Sequence, residues 1–223
     1  MKPIVISVGG SLLCPDNIDT TFIAKLKRFI LSYVRKGHSF LLVTGGGNFC
    51  RQYQKAAQRI RVKNKTSLDW VGIAVTKVNA ELLRVAFGSV AYKRVLPNPY
   101  QKVKGKVIIV GGYLPGCSTD DDAVIAARTY GAQMLINLSN QDYVFTKDPT
   151  RYADAVPLPR MTWAKYLTMI NSEWVPGSHI PFDPVAARSA KKMKLKVIFA
   201  NGRNFRNLHN IINGKKFVGT VLQ

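Results

Sequence analysis

An α/β protein with a largely parallel central sheet is what this chain predicts, and two patterns carry the prediction. Short runs of branched apolar residues alternate with amphipathic helical stretches. Three of those runs end in glycines: IVISVGGSLL at Ile4–Leu13, FLLVTGGGNFCR at Phe40–Arg51, and VIIVGGYLPGCSTDDDAVIAA at Val107–Ala127. A strand that passes through glycines into a helix presents backbone N–H groups and a helix N-terminus to an anion. Open α/β sheets place their ligands at such strand ends. Three such units predict one site built from three loops.

In chain order, Ile4–Val8 reads as a strand and Gly9-Gly10-Ser11 as a tight loop. Asp19 or Thr20 caps a helix to about Lys36, with Phe22, Ile23, Leu26, Phe29, Ile30 and Tyr33 on one face and Gly37 at its end. Phe40–Val43 is the second strand, and Gly45-Gly46-Gly47 permits close backbone approach to a ligand. Helices follow at Asn48–Arg61 and Asp69–Phe87. Pro97 and Pro99 mark a loop before the strand at Val107, and Pro115-Gly116 a turn before a helix that starts at Ser118-Thr119-Asp120. Met134–Leu138 is a buried strand and Tyr143–Thr146 a short one. Asp148–Pro159 is a surface loop, Thr162–Ile170 a helix, and Pro176–Pro181 a flexible connection. Asp183-Pro184 opens a helix with a cap and a proline at its first position. Val197–Ala200, Asn204–Ile212 and Phe217–Leu222 complete the chain as strand, helix and strand.

At 223 residues the chain is one domain, 1–223, with lobes meeting near 130/131. The formal charge is +21, from 33 basic and 12 acidic side chains spread without blocks. That spread fits general solubility better than a dedicated nucleic-acid surface, which no aromatic–basic motif supports. Three cysteines, Cys14, Cys50 and Cys117, lack metal-ligand spacing and fit a reduced, cytoplasmic protein. Gly9-Gly10-Ser11 interrupts the apolar run Ile4–Cys14, so neither a signal peptide nor a membrane span is expected.

Seven of the twelve carboxylates sit at loop or helix-start positions: Asp69, Asp120, Asp121, Asp122, Asp142, Asp148 and Asp183. For Asp121, Asp122 and Asp183 capping is a sufficient role. Asp120, beside Thr119 where the third glycine loop becomes a helix, is placed to organise cations around a phosphate. No G-x-x-x-x-G-K-[ST] sequence is present, so the chain is not a P-loop protein.

The segments VGGSLL, VTGGGNFCR, LDWVGIAVTKVNAELL, VGGYLPGCSTD, NQDYVFTKDP, FDPVAARSAKK and GTV together resemble the amino-acid kinase superfamily, and within it the UMP kinases of the archaeal type. The resemblance runs from about residue 4 to residue 221. It implies a three-layer α/β/α sandwich, transfer of the γ-phosphoryl group of ATP to UMP, Mg²⁺ with the ATP, and a homohexamer. It also implies roles for residues. Gly9, Gly10 and Ser11 would lie near the transferring phosphates, with Gly45, Gly46, Gly47 and Arg51 on the UMP phosphate. Asp69 would take the ribose hydroxyls, with Thr119 near the nucleotide. Asp120 would organise the catalytic centre, together with Gly10 and Ser11. Asn140, Asp142, Phe145 and Asp148 would form the ATP side. Arg51 separates the chain from the similar isopentenyl phosphate kinases, which carry a histidine there.

Three departures stand out. Ser7 occupies a place where many superfamily members have lysine, although archaeal-type UMP kinases also lack it, and Lys147 is a candidate substitute. Tyr143 stands where a glycine is usual, and the charge is not a family trait. A non-catalytic binding protein on the same scaffold, as in molybdenum-storage subunits, is the alternative that these departures imply. His38, His179 and His209 match no catalytic position.

Overall fold

The computed structural model describes residues 2–170 and 180–223. The expected connection at Pro176–Pro181 falls outside them except for its last two residues, as does His179. Among the described residues the strands are β1 (Ile4–Val8), β2 (Phe40–Thr44), β3 (Val107–Val110), β4 (Met134–Ser139), β5 (Arg160–Met161), β6 (Lys196–Asn201) and β7 (Thr220–Leu222). The helices are α1 (Gly10–Leu13), α2 (Thr20–Val34), α3 (Gly47–Arg59), α4 (Lys65–Phe87), α5 (Thr119–Tyr130), α6 (Trp163–Met169), α7 (Pro184–Lys192) and α8 (Phe205–Ile212).

The strands form one sheet in the order β3-β2-β1-β4-β6-β7-β5. All neighbouring pairs are parallel except β6–β7. The central strands are apolar at nearly every position because both faces are covered. Val5, Leu41, Val43, Val110 and Leu135 pack with α5, α6 and α7 on one face. Ile6, Val8, Leu42, Ile109 and Leu138 pack with α1, α2, α4 and α8 on the other. This is the expected three-layer sandwich. The chain moves outward from β1 through β2 to β3, then returns to β4 on β1's other side, so the strand order reverses between β1 and β4. A crevice at the carboxyl ends follows from that reversal.

Five local readings change. The loop after β1 winds into the short α1, because Leu12 and Leu13 are buried and the Cys14 N–H returns to the Gly10 carbonyl at 2.8 Å. Helix α4 begins at Lys65 instead of Asp69, since the Asn64 side chain accepts the Ser67 N–H at 2.9 Å and caps it earlier. Tyr143–Thr146 is no strand: it forms a single antiparallel bridge, Phe145 to Pro157, and the Val144 N–H goes to the Thr220 hydroxyl. The two-residue β5, too short to show a period, lies between the surface loop and α6. The last strand starts at Thr220 and not at Phe217, because the Asn207 side chain takes both backbone groups of Val218.

Candidate functional site

The first two glycine loops meet backbone to backbone. The Gly9 N–H donates to the Leu138 carbonyl at 2.9 Å, and the Gly45 N–H to the Val8 carbonyl at 3.0 Å. A Cβ on Gly45 would come within 2.5 Å of the Gly10 nitrogen, and one on Gly10 would run into the Gly47 nitrogen. Gly47 has a φ of +67° and has no room for a side chain against the Gly10 and Cys14 carbonyls. The Asn48 N–H donates to Cys14 at 2.9 Å and fastens α3 to α1. These contacts exclude larger residues and bring the N-termini of α1 and α3 to one place.

Helix α4 holds the third loop. The Thr76 hydroxyl accepts the Gly112 N–H at 2.6 Å and donates to the Ile73 carbonyl at 2.7 Å. One Asp69 oxygen accepts the Gly116 N–H at 2.9 Å. From the other side, Asp122 accepts the Tyr113 N–H at 3.2 Å. Asp122 is fully buried, and its second oxygen has no partner among the described residues. Its role exceeds capping, and burial pushes its pKa up to about 7. Asp183 does cap, accepting the Ala186 N–H at 2.8 Å at the start of α7. The Cys117 thiol, partly buried and next to these carboxylates, is pushed up to about 11 and is no nucleophile near neutrality.

Asp120, in the first turn of α5, faces β4 and the start of α7. Asn137 on β4 donates to one of its oxygens at 2.9 Å, and the Asp183 N–H to the other at 3.2 Å. Burial raises its pKa to about 7 against those two stabilising bonds, with Asp183 and Asp121 adding repulsion. Ser7 is buried beside Asn137 in the β1–β4 register. Asn137 and the Asp183 backbone were invisible to pattern reading, because an interior strand asparagine carries no motif.

A cleft of about 850 Å³ opens at these strand ends. The expected residues Gly10, Ser11, Gly45, Gly46, Gly47, Arg51, Thr119, Asn140, Phe145 and Asp148 all line it. Four others do not. Gly9 lies behind against Leu138, Asp69 is tied to Gly116, and both Asp120 oxygens are taken by Asn137 and the Asp183 N–H. Asp142 is exposed between the lining residues Gln141 and Tyr143. Tyr143 is part of the wall, edge-on to Phe145 with ring centroids 6.3 Å apart. Lys147 also lines the cleft, but its ammonium is bonded to Asp154 at 2.6 Å and stands 5.1 Å from the Tyr152 ring centre. The arrangement can hold a chain of phosphates: backbone N–H groups and helix N-termini at one end, a guanidinium at Arg51, and a ring and polar side chains at the other.

The sequence profile described as the amino acid kinase family matches residues 2–201. A uridylate kinase from Sulfolobus acidocaldarius is 31% identical, the match covering 98% of this chain and 98% of that protein. One from Methanobrevibacter smithii is 33% identical over 97% of each. Among solved structures, that of uridylate kinase from Archaeoglobus fulgidus is similar with a TM-score of 0.85 at 30% identity, covering 100% of both chains. A UMP kinase from Bacillus anthracis, at a TM-score of 0.79 and 20% identity over 100% of this chain and 96% of that one, shares the fold.

Proposed function

The chain belongs to the amino acid kinase family, and from that premise we propose that it is a uridylate kinase, converting ATP and UMP to ADP and UDP. The observation that carries this reading is the backbone contact of Gly10 with Gly45 and Gly47 in the floor of one cleft. Two anion-binding loops in contact hold two phosphate groups end to end, which is what in-line phosphoryl transfer needs. A UMP phosphate oxygen attacks the γ-phosphorus as the bond to the β–γ bridging oxygen of ATP breaks, leaving ADP. No covalent protein group is required.

In this reading Gly45, Gly46, Gly47 and Arg51 bind the UMP phosphate, while Gly9, Gly10 and Ser11 face the transferring group. Asp69 keeps one oxygen beyond its bond to Gly116 for the ribose hydroxyls, and Thr119 lies alongside. Asn140, Phe145 and Asp148 receive the ATP, with Asp142 at the rim. Asp120 is the central carboxylate. A Mg²⁺ that arrives with ATP is part of this reading, since that ion is commonly held by one or two carboxylates plus phosphates. Asp120 is the carboxylate for it, already oriented by Asn137 and raised in pKa in a way that a cation would offset. When bound, the metal would neutralise phosphate charge. No helix of the described residues is long and apolar enough to cross a membrane; a cytoplasmic location belongs to the same proposal.

A homo-oligomer, the expected hexamer, belongs to the same proposal. Trp70, Val78 and Val85 on α4, Tyr53 on α3 and Ile60 just past its end leave large apolar side chains exposed, a surface that a second copy covers. Light scattering after size exclusion tests it.

The activity is tested by a coupled kinase assay with ATP and, in turn, UMP, CMP and isopentenyl phosphate. Turnover dependent on UMP supports the reading. ATP and UMP binding without turnover would point to a non-catalytic binding protein, and turnover on isopentenyl phosphate alone to a different kinase.

A further inference from the structure

Helix α4 turns one polar edge toward the glycine loops. Asp69 and Thr76 are two helical turns apart and Asn79 follows one turn later. The first two hold the third loop. Asn79, which is 5% exposed, does something different. Its amide nitrogen donates to the Gly45 carbonyl at 2.9 Å and to the Gly46 carbonyl at 3.3 Å, and its oxygen accepts the Cys14 thiol at 3.5 Å. One side chain thus fastens two consecutive carbonyls of the second loop.

In a trans peptide the C=O and the following N–H point in opposite directions. Holding the carbonyls of Gly45 and Gly46 against α4 turns the N–H groups of Gly46 and Gly47 away from it. Among the described residues neither N–H has a protein acceptor, and both glycines line the cleft. We propose that Asn79 is a positioning residue for the acceptor phosphate: by clamping the Gly45 and Gly46 carbonyls it aims the Gly46 and Gly47 N–H pair at the anion. This rests on reading the cleft as a uridylate kinase site, with UMP on this side.

The clamp needs donors, so shape alone cannot replace it. Asn79→Asp keeps the size and places a carboxylate against two carbonyls, and Asn79→Ser leaves a single, shorter donor. Steady-state kinetics in both substrates, with UMP and ADP binding by calorimetry and circular dichroism as a check on folding, test the idea. N79D is expected to raise KM and Kd for UMP by roughly 30-fold, the scale of one lost bond to a charged group. ATP KM and ADP affinity stay within about twofold, and N79S falls between N79D and the wild type. A merely structural role would move both substrates together. Should N79D not fold, N79S carries the same comparison. If the wild type binds UMP and the folded variant binds it equally well, or loses ATP in parallel, the positioning role is wrong. If the wild type ignores UMP while binding ATP, the functional reading beneath it falls first and takes this role with it.

Discussion

The wall that carries Gly10 and Gly45–Gly47 is backbone packed against backbone, whereas the wall from Ser139 to Arg151 is side chains facing water. In the first, no Cβ fits at Gly10 or Gly45, and a buried asparagine and a buried threonine fasten the loops. In the second, Asn140, Asp142, Thr146 and Lys147 are exposed, and beyond the buried tie of Val144 to Thr220 the bonds are surface ones such as Lys147–Asp154 and Asp148–Thr150. Exposed pairs contribute little, while buried clamps leave a costly orphan when cut. On the function proposed above, that difference would put rigidity where the transferring groups are held and tolerance where a nucleotide enters and leaves.

Experiments can break that contrast, beginning with the buried carboxylate of Asp120 beside the cleft-lining Thr119. Asp120→Asn is expected to lower kcat by about a thousandfold, the scale of losing a preorganised charged group, with a circular dichroism spectrum like that of wild type. Activity that survives it would remove Asp120 from the chemistry. Gly10→Ala comes next. Its methyl group collides with the Gly47 backbone, so UMP affinity should drop about a hundredfold or the protein should fail to fold. A normal KM for UMP would mean that the backbone contact has slack.

The pH profile sharpens the same point. Burial holds the Asp120 pKa near 7, against 3.8 for an ordinary aspartate. Its ionised form should therefore be gained between about pH 6 and 8, and kcat/KM should rise roughly tenfold over that window. A flat profile there would show that the charge is already fixed. The raised pKa also means that the folded state binds the proton more tightly than the unfolded chain. Stability is then full below about pH 4 for this group and declines as pH rises through about 7. Asp122, buried and raised for the same first cause, adds to that decline.

On the other wall the effects shrink. Phe145→Ala should raise the KM for ATP about fivefold, the value of one stacked ring, and leave UMP untouched. Asp154→Ala, which frees Lys147, should change kcat by less than about twofold, as exposed ion pairs do. A larger loss would restore Lys147 as the missing catalytic lysine.

The rigid wall was the more legible in the sequence. Strand, glycines and helix start are consecutive residues, so periodicity and turn chemistry announce Gly9–Ser11 and Gly45–Gly47 directly. The clamps were not legible. Asn79 and Thr76 lie 34 and 36 residues from their partners Gly45 and Gly112, and Asn137 sits inside an apolar strand. The resemblance contained the segment TKVNA without saying what its side chains touch. On the other wall Tyr143–Thr146 has the composition of a strand, yet its neighbours are supplied by the chain near Pro157 and Thr220, which no local pattern foretells. Cap choice was the reverse case: Asp19 and Asp183 act locally, accepting the N–H groups of Phe22 and Ala186 at 2.8 Å each.

Thr220 has a consequence for how the molecule is made. Its buried hydroxyl accepts the Val144 N–H at 2.8 Å and donates to the Leu158 carbonyl at 2.6 Å, buttoning two stretches that leave the ribosome long before it does. By Phe87 the first two glycine loops and the α4 residue Asn79 that clamps the second have been synthesised, while the stretch around Val144 stays unfastened for another 133 residues. A nascent chain halted soon after Phe87 would carry two of the three glycine loops beside an open flank.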